Sequence, residues 1–319
     1  MRSVYFGALL LAASPAASEF LLELPVDCKL GETCHIQNYV DHTPTGEYRD
    51  FRCGPLTYDG HKGTDFGLPT LAEMENGVDV LAAAPGVVRA VRDGVLDKKF
   101  DPNAPNDVEN RECGNGVVIA HDDGWETQYC HLMRGTVEVA PDDFVSSGTV
   151  LGQIGLSGKT QFPHLHLSVR KDGRTVDPFV PNGSEGCETS GPTLWANPLE
   201  YVSSGLLSVG FSQDIPSYEA VLAGTAAMTD LPKSAGAIVI FGHAFGGRAG
   251  DVMRLEVFGP DGQFLFQDVE LEKTQAQLFR ATGRRLSGAH WTPGEYRGAV
   301  TLIRDGNEIS QKTVSVNVR

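Results

Sequence analysis

Nine histidines occur in the chain, and four of them, with one aspartate, fall into three compact motifs between residues 58 and 180. The first is Gly60-His61-Lys62-Gly63-Thr64-Asp65-Phe66-Gly67. His61 and Asp65 are four apart, a spacing that places both on one face of either a strand or a helix. Glycines at 60, 63 and 67 disfavour a helix, so a strand or turn is expected. The second motif is Pro163-His164-Leu165-His166-Leu167. Residues two apart share a face on a strand and diverge on a helix, so this segment reads as a strand presenting two imidazoles to one point. The third is Tyr129-Cys130-His131-Leu132, where alternation places Tyr129 and His131 on one face and Cys130 on the other. Zinc takes neutral imidazole nitrogens and carboxylate oxygens at about 2.0–2.2 Å, and a catalytic zinc keeps three protein ligands and one open position. Two histidines and a carboxylate meet that need and leave imidazoles over for proton transfer. The motifs alone do not choose between His164 and His166 as the ligand.

The elements that must carry these residues are short. From Tyr58 to about Val180, runs rich in Val and Ile (VDVLAAAPGVVRAVRDG, GNGVVIAHDDGWETQYCHL, TVLGQIGLSG) are separated by Gly, Asp and Pro. Such runs at close spacing, with no long apolar face of period 3.6, predict an antiparallel β domain. Asp122-Asp123-Gly124 reads as a hairpin turn between two of them. Leu96 to Glu112 is polar, holds two prolines and is expected to be a surface loop. Residues 19–57 read as an irregular Cys-rich collar, and 182–193 as a loop trailing the domain that spans 58–205. Residues 206–319 alternate clearly: VMRLEVF and QFLFQDVE flank Gly-Pro-Asp-Gly, and EYRGAVTLIR and EISQKTVSVNV flank Asp-Gly-Asn. That pattern predicts an accessory immunoglobulin-like β-sandwich. GHAFGGRAGD (242–251) reads as a Gly-rich loop among its strands.

Together the motifs resemble the lysostaphin/LytM-type zinc endopeptidases, which hydrolyse peptide bonds in bacterial cell-wall peptidoglycan. The order His-x-x-x-Asp, Tyr-x-His-Leu, His-x-His is kept, in the surroundings GHKGTDFG, QYCHL and SGKTQFPHLHLSVR. The likeness covers roughly Tyr58 to Pro181 and includes neither the collar nor the C-terminal segment. It implies an antiparallel β catalytic domain with the LytM-type duplicated hybrid motif, and with the strand pattern of 206–319 the chain is expected to be all-β. It also implies one Zn2+ held by His61, Asp65 and His166, with His131 and His164 as catalytic histidines. Cys130 stands where the family usually has a small residue, and the 96–112 loop is longer than typical.

Composition and the chain's beginning bear on the compartment. Lys+Arg 26 against Asp+Glu 41 gives a net charge of −15, which argues against a nucleic-acid partner or a polybasic membrane-surface role. The opening MRSVYFGALLLAASPAASEF has one basic residue, an apolar run and small residues at 16–18, the form of a signal peptide spanning 1–18. No later stretch is apolar and long enough to span a bilayer. Six cysteines, none in a Cys-x-x-Cys pair, predict three disulfides among Cys28, Cys34, Cys53, Cys113, Cys130 and Cys187, with 15 connectivities open. The expectation is an exported protein, periplasmic or extracellular.

Other chemistries fail on their spacing. Gly155 to Thr160 lacks the first glycine of a phosphate-binding loop, because position 153 is Gln. No Gly-x-Ser-x-Gly element is present. A thiol protease built on Cys130 and His131 conflicts with an oxidising compartment. His121 is expected at a hairpin surface, His35, His42, His243 and His290 have no evident partner, and Tyr58 is expected to pack at the edge of the site. The reading that follows is an exported zinc metalloendopeptidase that cleaves peptidoglycan stem peptides or cross-bridges through a metal-activated water. Two alternatives compete with it: a non-catalytic zinc-binding activator of another cell-wall hydrolase, and a zinc protease of secreted Gly-rich proteins.

Overall fold

A computed structural model describes residues 20–43, 46–183, 187 and 191–319; the expected signal peptide lies outside these. The chain is built mainly of antiparallel β-structure. In its first half the strands are β1 (His35–Asn38), β2 (Thr64–Gly67), β3 (Asp79–Leu81), β4 (Gly86–Arg92) and β5 (Asn115–Ala120). They continue with β6 (Trp125–Leu132), β7 (Phe144–Val145), β8 (Val150–Gln153), β9 (His164–Lys171) and β10 (Arg174–Thr175). The main sheet runs β1-β2-β9-β6-β5-β4-β7, with β10 beside β9, and β3 pairs β8 separately. Every pairing here is antiparallel. Among these, β5 and β6 are joined through Asp122–Gly124, the expected hairpin turn.

Alternation decides which side of the sheet is the core. Leu165, Leu167 and Val169 of β9 are at most 1% exposed and pack with Phe66, Val117, Ile119 and Tyr129. Each such side chain contributes roughly 1.5–3 kcal/mol by leaving water. The opposite face of β2 and β9 is thereby free to carry Asp65, His164 and His166.

The collar is woven into this core. Leu22, Val26, Tyr39, Phe51 and Leu56 are buried within it, and β1 is a strand of the main sheet. Three disulfides close as expected in number: Cys28–Cys34, Cys53–Cys187 and Cys113–Cys130. Residues 96–112 form an open connection with one 3-10 turn, Pro105–Val108.

A second core lies in the C-terminal half. Its strands are β11 (Gly205–Ser212), β12 (Asp230–Leu231), β13 (Ala237–Gly247) and β14 (Val252–Gly259). They are followed by β15 (Gly262–Glu270), β16 (Gln275–Arg285), β17 (Gly294–Arg304) and β18 (Asn307–Val318). One sheet runs β11-β13-β16 and the other β12-β18-β17-β14-β15. Phe211, Ile238 and Ile240 from the first share a core with Met253, Leu255, Val300, Leu302 and Val316 from the second. The Gly-rich stretch from Gly242 corrects the loop reading. Residues 242–247 belong to β13 and are buried, and only the residues after them turn. Glycine there answers to packing: a Cβ on Gly242 would lie 2.7 Å from Val300, and one on Gly247 would lie 2.4 Å from Leu278.

Candidate active site

Strand register builds the site. Asp65 on β2 lies opposite His166 on β9, and His166 lies opposite Cys130 on β6, so these three share one face of the sheet. His164 lies opposite Gly67, two residues along on that face. His61 sits in the turn before β2 and reaches the same point from outside the strand. Of the strand and the turn that the sequence left open for this motif, His61 takes the turn. The glycines permit a turn, and the turn delivers the imidazole.

Three donor atoms converge. Asp65 Oδ1 lies 2.8 Å from His166 Nδ1 and 3.1 Å from His61 Nε2, and these two nitrogens are themselves 3.1 Å apart. His61, Asp65 and His166 form a cluster of potential ligand atoms within 4.8 Å of one another. The Nδ1–H of His61 donates to the Tyr39 carbonyl at 2.7 Å. A carbonyl can only accept, so Nε2 is left with a lone pair aimed at the cluster. His166 Nε2 is 3.0 Å from Ser168 Oγ, which frees Nδ1 to face the same way. Lone pairs and a carboxylate gathered at this spacing repel unless a proton or a cation lies among them, and the nitrogen–oxygen donor set suits zinc.

Burial sharpens the electrostatics. Asp65 is buried, which alone would raise its pKa, but the imidazoles of His61, His164 and His166 outweigh that and hold it well below the usual carboxylate range. Burial pulls His61 down, and the Asp65 charge more than reverses this, leaving its pKa raised.

His131 and His164 stand beside the cluster with ring centroids 4.7 Å apart, and His164 Nε2 is 3.5 Å from Asp65 Oδ1. His131 Nδ1–H donates to the Ser157 carbonyl at 2.8 Å, and His164 Nδ1–H donates to the Phe162 carbonyl at 3.0 Å. Each ring therefore keeps an Nε2 lone pair. Burial lowers both pKa values, that of His131 well below its ordinary range with help from the neighbouring imidazoles.

The face assignment around Cys130 is also corrected. Tyr129 pairs with Leu167 and is buried in the core, its hydroxyl accepting from Ala83 N–H at 2.8 Å. Cys130, not Tyr129, shares the face of His166. Strict alternation would send His131 into the core with Tyr129. Instead the register shifts between Asn115 and Gly116, and His131 takes φ of 65°, a bulge that turns its ring toward His164. The thiol-protease reading still fails, because Cys130 is bonded to Cys113.

Of the residues outside the motifs, His121 contacts the Pro85 carbonyl and Thr127 Oγ1. His35 and His243 are buried at 4% and 0% exposure, a role for which sequence spacing holds no signal. Tyr58 is half-exposed with its ring centroid 4.5 Å from that of His61, at the edge of the site. The residues that sequence reasoning missed are those that orient the five: Asn38, whose amide donates to Asp65 Oδ2 at 2.9 Å, and the carbonyls of Tyr39, Ser157 and Phe162.

Residues 59–178 match the model of Peptidase family M23. The likeness to the M23 family lies in that stretch, the one that holds His61, Asp65, His131, His164 and His166. The chain is similar to the DD-carboxypeptidase/endopeptidase Mpg of Neisseria meningitidis serogroup B, 33% identical over 105 residues, covering 33% of this chain and 22% of that protein. It is also similar to the peptidoglycan DD-endopeptidase ShyA of Vibrio cholerae, 32% identical over 122 residues, covering 38% of this chain and 23% of that one. The chain thus spans under a quarter of the length of either relative. Among solved structures, the catalytic domain of the prophage-encoded M23 protein EnpA from Enterococcus faecalis is 24% identical with a TM-score of 0.30, covering 46% of this chain and 92% of that one. A zinc-containing peptidase from Vibrio cholerae is 26% identical with a TM-score of 0.29, covering 46% of this chain and 39% of that one. Among the described residues, no helix is long and apolar enough to cross a membrane.

Proposed function

We propose that the protein is an exported zinc metalloendopeptidase that hydrolyses peptide bonds in peptidoglycan stem peptides or cross-bridges. The observation that carries this reading is the convergence of His61 Nε2, Asp65 Oδ1 and His166 Nδ1, with two further buried imidazoles alongside. The M23 match and the peptidoglycan DD-endopeptidase relatives supply the substrate class. The three disulfides fit an oxidising compartment, periplasmic or extracellular. Residues 58–205 would form the catalytic unit, with 19–57 bracing it and 206–319 as an accessory sandwich.

In this reading His61, Asp65 and His166 hold one Zn2+. A zinc ion at such a site lowers the pKa of water from 15.7 towards about 7 and polarises a carbonyl. The chain's own residues do the rest. His131 and His164 each present a free Nε2, with which they would orient the water, take its proton or, once protonated, stabilise the oxyanion of the tetrahedral intermediate. The carbonyls of Ser157 and Phe162 hold the two rings in the tautomer this requires.

The test is digestion of purified peptidoglycan. Release of free amines, abolished by a chelator and restored by zinc, is the expected result, and mass spectrometry of the fragments identifies the bond. Zinc binding without amine release would favour the activator alternative, and cleavage confined to Gly-rich proteins would move the substrate class.

A further inference from the structure

We infer that Asn38 and Asp41, which precede the family-matched residues 59–178, are positioning residues for Asp65 and His61 respectively. The inference rests on the zinc reading above and extends it to a segment with no motif of its own.

β1 pairs with β2 through His35 opposite Gly67, Ile36 opposite Phe66, and then Asn38 opposite Asp65. Gln37 is the extra residue of a bulge. Unbroken pairing would set Gln37 against Asp65, whereas the bulge sets Asn38 there and so aims its amide onto the site face. The Nδ2–H of Asn38 donates to Asp65 Oδ2 at 2.9 Å. A buried carboxylate can rotate about its terminal torsion, which is broad. Fixing Oδ2 fixes Oδ1, the atom that meets both imidazoles.

The next residues hold the His61 turn. The Tyr39 carbonyl accepts from His61 Nδ1–H and from Thr57 Oγ1–H, each at 2.7 Å. Asp41 N–H donates to the His61 carbonyl at 2.9 Å, and Asp41 Oδ2 accepts from Gly60 N–H at 3.0 Å. Asp41 Oδ1 accepts from Thr43 N–H and Arg49 N–H, which pins the carboxylate itself. One short segment thus sets the carboxylate and one imidazole of the cluster. Partners of this kind around metal ligands typically contribute about 10–100-fold to metal affinity.

The experiment measures zinc affinity of the full chain by competition with a chromogenic chelator, for wild type, Asn38→Leu, Asn38→Ser and Asp41→Ala. The visible spectrum of the Co2+-loaded proteins is recorded alongside. Asn38→Leu fills the space without a donor and is expected to weaken zinc binding about 10–100-fold and to alter the cobalt bands. Asn38→Ser, which keeps a donor, recovers part of the loss, and Asp41→Ala weakens binding about 10-fold or more. A merely structural role would lower thermal stability and leave affinity and cobalt bands unchanged. That result in Asn38→Leu overturns the inference, and if that variant does not fold, the same result in Asp41→Ala does so. Absence of zinc binding by wild type overturns the zinc reading itself, a separate outcome.

Discussion

His131 and His164 each spend Nδ1 on a carbonyl and keep Nε2 for chemistry, whereas His61 and His166 turn a nitrogen onto Asp65 Oδ1. The two pairs should separate on substitution. His131→Ala and His164→Ala are expected to retain zinc and to lose turnover by about 10²–10⁴-fold, the usual worth of a positioned proton-transfer group. Asp65→Ala and His166→Ala are expected to lose the metal. Elemental analysis of the four purified variants checks this, and zinc loss in the first pair or retention in the second would reverse the assignment. These five residues were legible as a group because their types are restricted to few chemistries and fall in three compact motifs, and the strand spacing itself holds for His164 and His166. The bonds that orient them were not. Backbone carbonyls of Tyr39, Ser157 and Phe162 carry no sequence signal, and Asn38 in HIQN has none of the marks of a motif.

At the scale of elements, two bulges account for what periodicity could not foresee. A period of two predicts faces only while register is kept, and register slips beside Gln37 and beside His131. Each slip turns one side chain toward the cluster. The antiparallel sheet, the 122–124 hairpin and the His164–Leu167 alternation were legible because they depend on local pattern. The strand at residues 242–247 was not, since its glycines answer to neighbours distant in sequence, Val300 and Leu278 among them. Gly63 shows the same constraint at the site. A Cβ there would lie 2.6 Å from both the His166 ring and the Leu167 carbonyl oxygen, and the latter belongs to a neighbouring strand that cannot yield cheaply. Gly63→Ala is expected to cost about 1–3 kcal/mol by overpacking and to weaken zinc binding through His166. Chemical denaturation and chelator competition measure the two effects, and unchanged affinity would show that the ring has room to move.

Across the whole molecule, one contact between the two halves is made by the buried His35. The rings of His35 on β1 and Phe245 on β13 lie 4.6 Å apart by centroid, and Gln277 Nε2–H donates to Gln37 Oε1 at 3.2 Å. Burial, and in His35 also the nearby His243, lowers the pKa of His35 to about 3, and burial lowers that of His243 to about 4. Both values lie below the ordinary 6.5. The unfolded chain therefore binds protons that the folded chain refuses. Stability from keeping these rings neutral is full above pH 6.5 and falls as pH drops towards 4 and then 3, by up to about 1.4 kcal/mol per unit for each histidine. Urea unfolding between pH 7 and 5 should show this decline, and His243→Leu should make it shallower. An equal slope in that variant would mean that His243 is not held neutral. The most direct test of the whole account is anomalous diffraction from crystals grown with zinc. One ion is predicted, with His61 Nε2, a carboxylate oxygen of Asp65 and His166 Nδ1 at about 2.0–2.2 Å. An ion bound elsewhere, or one held by His164 in place of His166, would contradict it.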